Sequence, residues 1–198
     1  MHSIRRFLRR YRGRILHLYV EEYAGWLTRH LPGPEGLALR SVVYRLLFKT
    51  TKGSPLIYPG VYLTHTYGIE IGRHFSINSG ALIDGRGGVR IGDWVMIGPH
   101  AVITSSEHQS PPFGTPMASV DHEMQPVVID DDVWIGAHAF IRGGIHIGRG
   151  AIVGAGAVVV SDVNDGDIVC GVPARAISNR RDRPELSQSE AMQSILTR

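Results

Sequence analysis

Imidazole is the side chain in this sequence that is best suited to move protons. The chain has ten histidines but one cysteine, and no Gly-x-Ser-x-Gly sequence that would present a nucleophilic serine. An imidazole with an unperturbed pKa of about 6.5 can serve as a general base at neutral pH. One of the ten, His108 in Ser105-Ser106-Glu107-His108, lies where a regular repeat is interrupted. The composition therefore favours direct group transfer over a covalent enzyme intermediate.

Aliphatic residues recur at every sixth position between Val127 and Asp162. The series is Ile129, Ile135, Ile141, Ile147, Val153 and Val159. A helix repeats every 3.6 residues and a plain strand every two, so neither accounts for this period. A period of six is typical of a coil with flat sides of about six residues, the hexapeptide form of a parallel β-helix. We therefore predict a mainly β fold built from such coils.

The same register occurs upstream, with two interruptions. Its members are Ile71, Ile77 and Ile83, followed by Ile91, Ile97 and Ile103. The step of eight between Ile83 and Ile91 predicts two extra residues at a corner, within the glycine-rich residues 85–88. The step of twenty-six after Ile103 predicts a long loop that leaves the coil within about residues 105–128. Loops of this length are usually functional or disordered, and we interpret this one as functional because it is the only large break in the repeat.

The length of 198 residues is that of one domain with appendages. We predict a helical N-terminal region over residues 1–53, the β-helix domain over residues 54–177 and a polar tail over residues 178–198. A single cysteine, Cys170, allows no intramolecular disulfide and indicates a reducing compartment. The sequence shows neither an apolar run of eighteen residues nor a signal-peptide core, so we expect a cytoplasmic protein.

The N-terminal region is strongly basic. Six arginines precede the first acidic residue, Glu21. Apolar residues at helical spacing, Ile4, Leu8, Tyr11, Ile15 and Leu18, predict an amphipathic helix over residues 3–30, and a second helix follows near Leu37–Phe48. Two interpretations stay open: the apolar stripe covers the open end of the coil with its arginines solvated, or the cationic face lies on an anionic membrane. Nucleic acid is not an expected partner, because no recognised binding motif is present.

An ordered series of motifs makes residues 56–177 resemble a known family. The motifs are Val133-Trp134-Ile135-Gly136-Ala137, Ile147-Gly148, Gly154-Ala155-Gly156-Ala157-Val158-Val159 and Gly171-Val172-Pro173-Ala174-Arg175. The chain resembles the hexapeptide-repeat acyltransferases, in particular the maltose/galactoside and surface-polysaccharide O-acetyltransferases. The resemblance implies a left-handed parallel β-helix and acetyl-CoA as co-substrate, with no metal required. It also implies a homotrimer with active sites between subunits, and a hydroxylated sugar or glycan precursor of polysaccharide biosynthesis as acceptor.

The resemblance also implies the acceptor side of the site. It makes His108, at the root of the excursion loop, the general base. Asn78 lies thirty residues before that histidine, as the family's asparagine does, and becomes a ligand of the acceptor. Two roles stay open for Asp84: a structural residue of the corner, or a contact to the acceptor.

For the cofactor, the resemblance implies four residues. Trp134 would line the pantetheine or acyl pocket, Ala137 and Ala155 would offer backbone groups to the pantetheine arm, and Arg175 would lie near the nucleotide phosphates. Many relatives carry Thr-Lys after the Gly-Ala-Gly motif, where this sequence has Val160-Ser161. Phosphate binding would therefore depend more on Arg175, with Arg180 or Arg181 as helpers.

Three alternatives stay open. The acceptor could be an amino sugar or a small antibiotic, which would make the chain an N-acetyltransferase or a small-molecule acetyltransferase. A second class is a zinc hydratase resembling the γ-class carbonic anhydrases, although His100 and His108 are eight residues apart and no two histidines have four residues between them. The third is a non-catalytic β-helix scaffold. Binding of acetyl-CoA and the zinc content would separate these classes.

Overall fold

The computed structural model describes residues 11–182 of the chain, which begin with two helices. Helix α1 spans Ile15–Thr28 and α2 spans Gly33–Leu47. The predicted helical residues 3–10 lie outside the described part. Helix α2 begins four residues before the predicted Leu37, because Pro34 occupies its first turn, where no backbone N–H is needed for an intrahelical bond. Within the described residues, no helix combines the length and the apolar character needed to cross a bilayer.

The rest of the chain winds into a coil with three parallel sheets, here called faces A, B and C. Face A contains β1 (Thr50–Thr51), β4 (Ile69–Ile71), β7 (Val89–Ile91), β12 (Val127–Ile129) and β15 (His146–Ile147). Face B contains β2 (Leu56–Ile57), β5 (Ser76–Ile77), β8 (Met96–Ile97), β13 (Trp134–Ile135), β16 (Ile152–Val153), β18 (Asp167–Cys170) and the antiparallel β19 (Arg175–Asn179). Face C contains β3 (Tyr62–Thr64), β6 (Leu82–Asp84), β9 (Val102–Thr104), β14 (Phe140–Ile141) and β17 (Val158–Val159). The prediction of a parallel β-helix is confirmed.

The register explains the period of six. Ile135 on face B pairs with Val153, eighteen residues later, so one turn consists of three sides of six. In the first turns Leu63 pairs with Ile83, twenty residues later, because the corner before face A contains two extra residues there. Every repeat aliphatic from Ile71 to Val159 is at most 3% exposed and points into the coil. These side chains form one continuous core.

Close packing of successive turns requires glycine at one corner. A Cβ added to Gly136 would lie 2.6 Å from the amide nitrogen of Ala155, and one added to Gly98 would lie 2.7 Å from that of Ala137. Both contacts are with backbone, which cannot move aside without shifting a turn. The glycines that follow the repeat aliphatics therefore set the spacing between turns.

The three faces differ in chemistry. On face A the outward residues are Thr50, Glu70, Arg90, Val128 and His146. On face B they include Leu56, Met96, Trp134 and Ile152, and on face C Leu82, Val102, Phe140 and Val158. Faces B and C thus present apolar side chains, whereas face A is mostly polar.

Two buried ionisable side chains fasten the helices to the first turn. The Arg40 guanidinium in α2 is fully buried and donates to the carbonyls of Thr28, Leu31 and Ile57 at 2.7–2.9 Å. Glu21 in α1 is 5% exposed and accepts from the backbone N–H groups of His65 and Thr66 at 2.8 and 2.6 Å. These bonds place α1 beside the corner between faces C and A.

A β-hairpin leaves the coil at that corner. It consists of β10 (Ser106–His108) and β11 (His122–Met124), with a 3₁₀ turn at Met117–Ser119 between them. At its base, the N–H of Gln125 donates to the carbonyl of Ser105 at 2.8 Å. Beside the base, the Nε atom of Arg142 on face C lies 3.2 Å from a Glu107 oxygen. The excursion is therefore an ordered two-stranded arm, anchored on the coil.

Candidate functional site

His108 ends the first strand of the hairpin, where it is exposed to solvent. It pairs across the strands with His122, and the two ring centroids lie 3.9 Å apart. An exposed imidazole at the root of an anchored arm can reach a substrate that lies along the coil. The geometry is therefore compatible with the general-base role that the family resemblance implies for His108.

Asp84 is the centre of a polar cluster at the same corner. Its carboxylate lies 2.7 Å from Nδ1 of His65 and accepts from the hydroxyls of Thr64 at 3.2 Å and Ser106 at 3.3 Å. The backbone N–H of Arg86 donates to it at 3.1 Å. We call this set, Thr64, His65, Asp84 and Ser106, the corner cluster. Its hydroxyl and carboxylate groups are of the kind that bind sugar hydroxyls.

The corner cluster also sets the ionisation of Asp84. Burial alone would raise the pKa of its carboxyl, but the hydrogen bond and charge of His65, together with the Arg86 N–H and guanidinium, outweigh burial and hold this pKa below its usual value. The folded state therefore favours the carboxylate.

Stability is expected to reflect this lowered pKa. A carboxyl whose pKa is lowered on folding stabilises the protein above its unfolded-state value of about 3.9, and this contribution is lost as the pH falls through the lower folded-state value. The free energy of unfolding of the parent should therefore approach that of Asp84→Asn as the pH falls from about 5 to about 3. Urea unfolding at fixed protein concentration measures the difference. A difference that stays constant over this range would contradict the assignment.

Asn78 lies at another corner, between faces B and C. Its Nδ2 donates to the carbonyl of Ile97 at 3.3 Å, and the side chain is half-buried. The four-residue step from Asn78 to Leu82 turns the corner into β6, and Asp84 is at the far end of that strand. One chain therefore brings Asp84 together with the hairpin of His108 but holds Asn78 at the opposite edge of face C.

The predicted cofactor residues follow face B and its corner with face C. Trp134 is 49% exposed on face B, in register with Met96 on one side and Ile152 on the other. Ala137 and Ala155 occupy equivalent corner positions on successive turns. The Ala137 carbonyl accepts from the N–H of Gly156 at 2.8 Å, which joins the two corners. Together these residues form an apolar strip with backbone groups along one edge.

The predicted phosphate-binding residues separate into two places. Arg175 begins β19 and is exposed, and among the described residues its guanidinium donates only to the neighbouring carbonyl of Ala174. Arg180 instead donates to Asp132 at 3.0 Å, and Arg181 lies 3.7 Å from Asp165. Both of these arginines are engaged at the corner between faces A and B, which leaves Arg175 as the more available cation.

Sequence reasoning missed two members of this site, His65 and His122. His65 follows Thr64, which pairs with Asp84 one turn later, so the twenty-residue step of the first turns could have placed its imidazole beside that carboxylate. His122 could not be found from the repeat, because it lies within the excursion. Within residues 11–182, no group of three or more His, Cys, Asp or Glu side chains is placed to hold a metal ion.

Comparison with known proteins gives three kinds of match. Residues 126–161 match the family model described as bacterial transferase hexapeptide (six repeats). The galactoside O-acetyltransferase of Escherichia coli K12 is 30% identical over 158 residues, which cover 76% of this chain and 73% of that protein.

Two solved structures extend the similarity to the fold. A galactoside acetyltransferase in complex with coenzyme A is 26% identical, with a TM-score of 0.77 over 89% of this chain and 88% of that one. A hexapeptide-repeat acetyltransferase of Vibrio cholerae O1 biovar eltor, complexed with acetyl-CoA, is 28% identical. Its TM-score is 0.75, over 84% of this chain and 88% of that one. The left-handed sense of the coil is confirmed by this agreement.

Proposed function

Since the chain belongs to the hexapeptide-repeat acetyltransferases, we propose that it transfers the acetyl group of acetyl-CoA to a hydroxyl of a sugar or glycan precursor. The observation that carries the proposal is the position of the His108 arm beside the corner cluster, in which Ser106 Oγ donates to Asp84 at 3.3 Å. A base and a set of hydroxyl-binding groups thus share one corner of the coil. The similarity to galactoside O-acetyltransferase supports a sugar-type acceptor.

The reaction proceeds by direct transfer. The His108 imidazole takes the proton of the acceptor hydroxyl as its oxygen attacks the thioester carbonyl. The resulting oxyanion is stabilised by a hydrogen-bond donor, for which a backbone N–H is suited. When the tetrahedral intermediate collapses, the carbon–sulfur bond breaks and the CoA sulfur receives the proton from the imidazolium. The products are the acetyl ester and CoA, with His108 returned to its neutral form.

The acceptor is held by the corner cluster and by Asn78. Asp84 is a carboxylate with partial exposure, so it can accept from a second sugar hydroxyl while it keeps its bond to His65. The Asn78 amide supplies both a donor and an acceptor. These contacts orient one hydroxyl toward His108, which is the requirement for regioselective transfer.

The proposal includes a homotrimer. Faces B and C expose apolar side chains such as Trp134 and Phe140, whereas face A is mostly polar. Packing face B of one protomer against face C of the next covers both apolar faces and places the His108 arm of one chain against Trp134 and Asn78 of its neighbour. This arrangement brings the His108 arm of one chain next to the Trp134 and Asn78 side chains of another, which a single chain holds far from its own arm. Analytical ultracentrifugation across a dilution series tests it, and a monomer with full activity would contradict it.

A cytoplasmic location at the inner face of a membrane is also proposed. The outward side of α1 carries an apolar stripe, 48–78% exposed, where the sequence predicted a cationic face. Its members are Leu16, Tyr19, Val20, Tyr23, Trp26 and Leu27. Residues 1–49 contain ten Arg and Lys against three Glu, a net charge of +7, whereas the other 149 residues contain eleven against fifteen acids, a net charge of −4. Apolar and aromatic groups beside positive charge are typical of a helix that binds anionic lipid.

Membrane contact is expected to depend on the exposed aromatic residues. Changing both Tyr23 and Trp26 to serine should lower the partitioning onto phosphatidylglycerol vesicles by roughly tenfold or more. Changing Val172 and Ile177, which are equally exposed near the end of the coil, serves as the control. Cosedimentation measures both. Unchanged partitioning of the Tyr23/Trp26 variant would show that this stripe does not contact lipid.

The transfer activity is tested by measuring CoA release over a panel of sugars, nucleotide sugars and amino sugars. Acetyl-CoA turnover that requires a hydroxylated sugar, with the product identified as an O-acetyl ester, would support the proposal. Turnover confined to amino sugars would assign the chain to N-acetyl transfer instead. Failure to bind acetyl-CoA would overturn the acetyltransferase assignment.

A further inference from the structure

A basic groove lies on face A at its corner with face C, on the first turns of the coil. Its volume is about 320 Å³. The charged and aromatic residues that line it are Arg14, Lys49, Tyr67, Glu70, Arg86 and Arg90. Lys49 Nζ is bound to Glu70 Oε1 at 2.6 Å, so this pair is neutral. Three further guanidinium groups line the groove, and Arg86 alone among them has a carboxylate, Asp84, within ion-pair distance in the described part of the chain.

Among the described residues, Arg14 and Arg90 form no ion pair with a carboxylate, whereas Arg86 lies beside Asp84. The Arg14 guanidinium lies 4.1 Å from the Tyr67 ring centroid, a contact that keeps its positive charge. Arg86 Nε is buried and has no hydrogen-bond acceptor among the described residues, since Asp84 Oδ2, at 3.9 Å, is close enough for an ion pair but too far for a hydrogen bond. Asp84 is already bound by His65 and Ser106. Arg90 is exposed on β7. A buried guanidinium nitrogen without an acceptor, beside two further arginines, is an arrangement that an anion would stabilise.

The groove differs from the position predicted for the phosphates of CoA. Its lining comes from the residue before α1, from β4 and β7 with the corner that precedes each, and from the start of β12, which belong to the early and middle turns. Arg175, the predicted phosphate contact, begins β19 beyond the last turn. The groove does adjoin the corner cluster, because the Arg86 N–H donates to Asp84 at 3.1 Å. An anion in the groove would therefore be a neighbour of the acceptor hydroxyls.

We propose that this groove is a phosphate subsite for the acceptor, formed by Arg14, Arg86 and Arg90. The acceptor class is then a sugar that carries a phosphate or diphosphate, either as a free sugar phosphate or nucleotide sugar or as a lipid-linked sugar. The planar, forked guanidinium groups match phosphate oxygens in pairs, which gives both charge neutralisation and orientation. The identity of the ligand as an acceptor rests on the proposed function, but the phosphate site itself does not.

Pyrophosphate binding is the direct test, because it needs no transfer activity. Isothermal titration of the parent with sodium pyrophosphate is expected to show one site per chain. Arg86→Met and Arg90→Ala should each weaken binding by roughly tenfold or more. Arg73→Ala is the matched control, since Arg73 is an exposed arginine paired with Asp93 at 2.8 Å outside the groove, and its loss changes the net charge equally. Absent binding, or an equal loss in the control, would overturn the subsite.

Two further measurements distinguish a phosphate on a soluble acceptor from a phosphate on a lipid headgroup. If the phosphate belongs to a soluble acceptor, the ratio of kcat/KM for glucose 1-phosphate or a nucleotide sugar to that for the neutral sugar should exceed one and fall in Arg90→Ala. If it belongs to a lipid headgroup, Arg90→Ala should instead weaken binding to phosphatidylglycerol vesicles. Either result supports the subsite, and a failure of both to depend on Arg90 counts against it. If no sugar is acetylated while pyrophosphate binding still depends on Arg86, the proposed function fails and the subsite stands.

Discussion

His108→Ala is expected to lower kcat by about 10²–10⁴-fold, the range that general-base assistance contributes. The side chain is exposed on the hairpin, so its truncation should leave the coil and its core intact. Binding of acetyl-CoA should be unchanged, because the predicted cofactor residues lie on face B and at its corner with face C. CoA release with the best acceptor gives kcat, and calorimetry gives the dissociation constant. Added imidazole should restore part of the lost rate.

His122→Ala is the matched control. It removes the ring that lies 3.9 Å from His108 but keeps the proposed base. We expect a loss of about tenfold or less, because an orienting contact is weaker than the proton transfer itself. A His108→Ala enzyme as fast as the parent would remove the general base from the mechanism. A larger loss in His122→Ala than in His108→Ala would assign the base to His122.

Arg40→Met is expected to destabilise the fold by at least about 3 kcal/mol. Methionine fills a similar volume but donates nothing, so the carbonyls of Thr28, Leu31 and Ile57 lose the bonds that Arg40 provides. Each buried carbonyl left without a donor costs roughly 1–3 kcal/mol. Thr28 ends α1, Leu31 lies in the connection between the two helices, and Ile57 belongs to β2 in the first turn of the coil. Loss of all three bonds should therefore separate the helices from the coil. Urea unfolding followed by circular dichroism, at fixed protein concentration, measures the loss.

Arg45→Met is the control, because Arg45 lies in α2 together with Arg40. Arg45 is exposed, and its hydrogen bond to Ser54 Oγ has a length of 3.5 Å. Its loss should cost about 0.5 kcal/mol or less, the usual range for a surface substitution. Equal midpoints for the Arg40 and Arg45 variants would show that the buried guanidinium does not hold the helices in place.

Spacing alone was sufficient to predict the coil. A period of six specifies which residues turn inward, and steps of eight and twenty-six specify where the regular turns are broken. These are local properties that every turn repeats, so the positions of Ile83 and Ile103 could be read without knowing any contact. The same arithmetic located the arm that carries His108.

The composition of the site could not be obtained in this way. The corner cluster depends on His65 meeting Asp84 across a turn, a contact between residues that no motif links. The thirty-residue spacing between Asn78 and His108 matched that of the family, but it did not indicate that one chain holds the two residues at different corners. The outward stripe of α1 was also missed, because the arginines of the N-terminal residues dominated the expected pattern. In each case the deciding information is three-dimensional.

The hairpin closes on itself before it rejoins the coil. Ser106 pairs with Met124, and the N–H of Gln125 donates to the carbonyl of Ser105. The chain therefore re-enters the coil directly beside the residue at which it left. Changes of length or sequence beyond His108 and before His122 therefore leave the register of every turn untouched. Selection can remodel the tip of this arm to admit new acceptors while the body keeps its stability, which separates the evolution of specificity from that of folding.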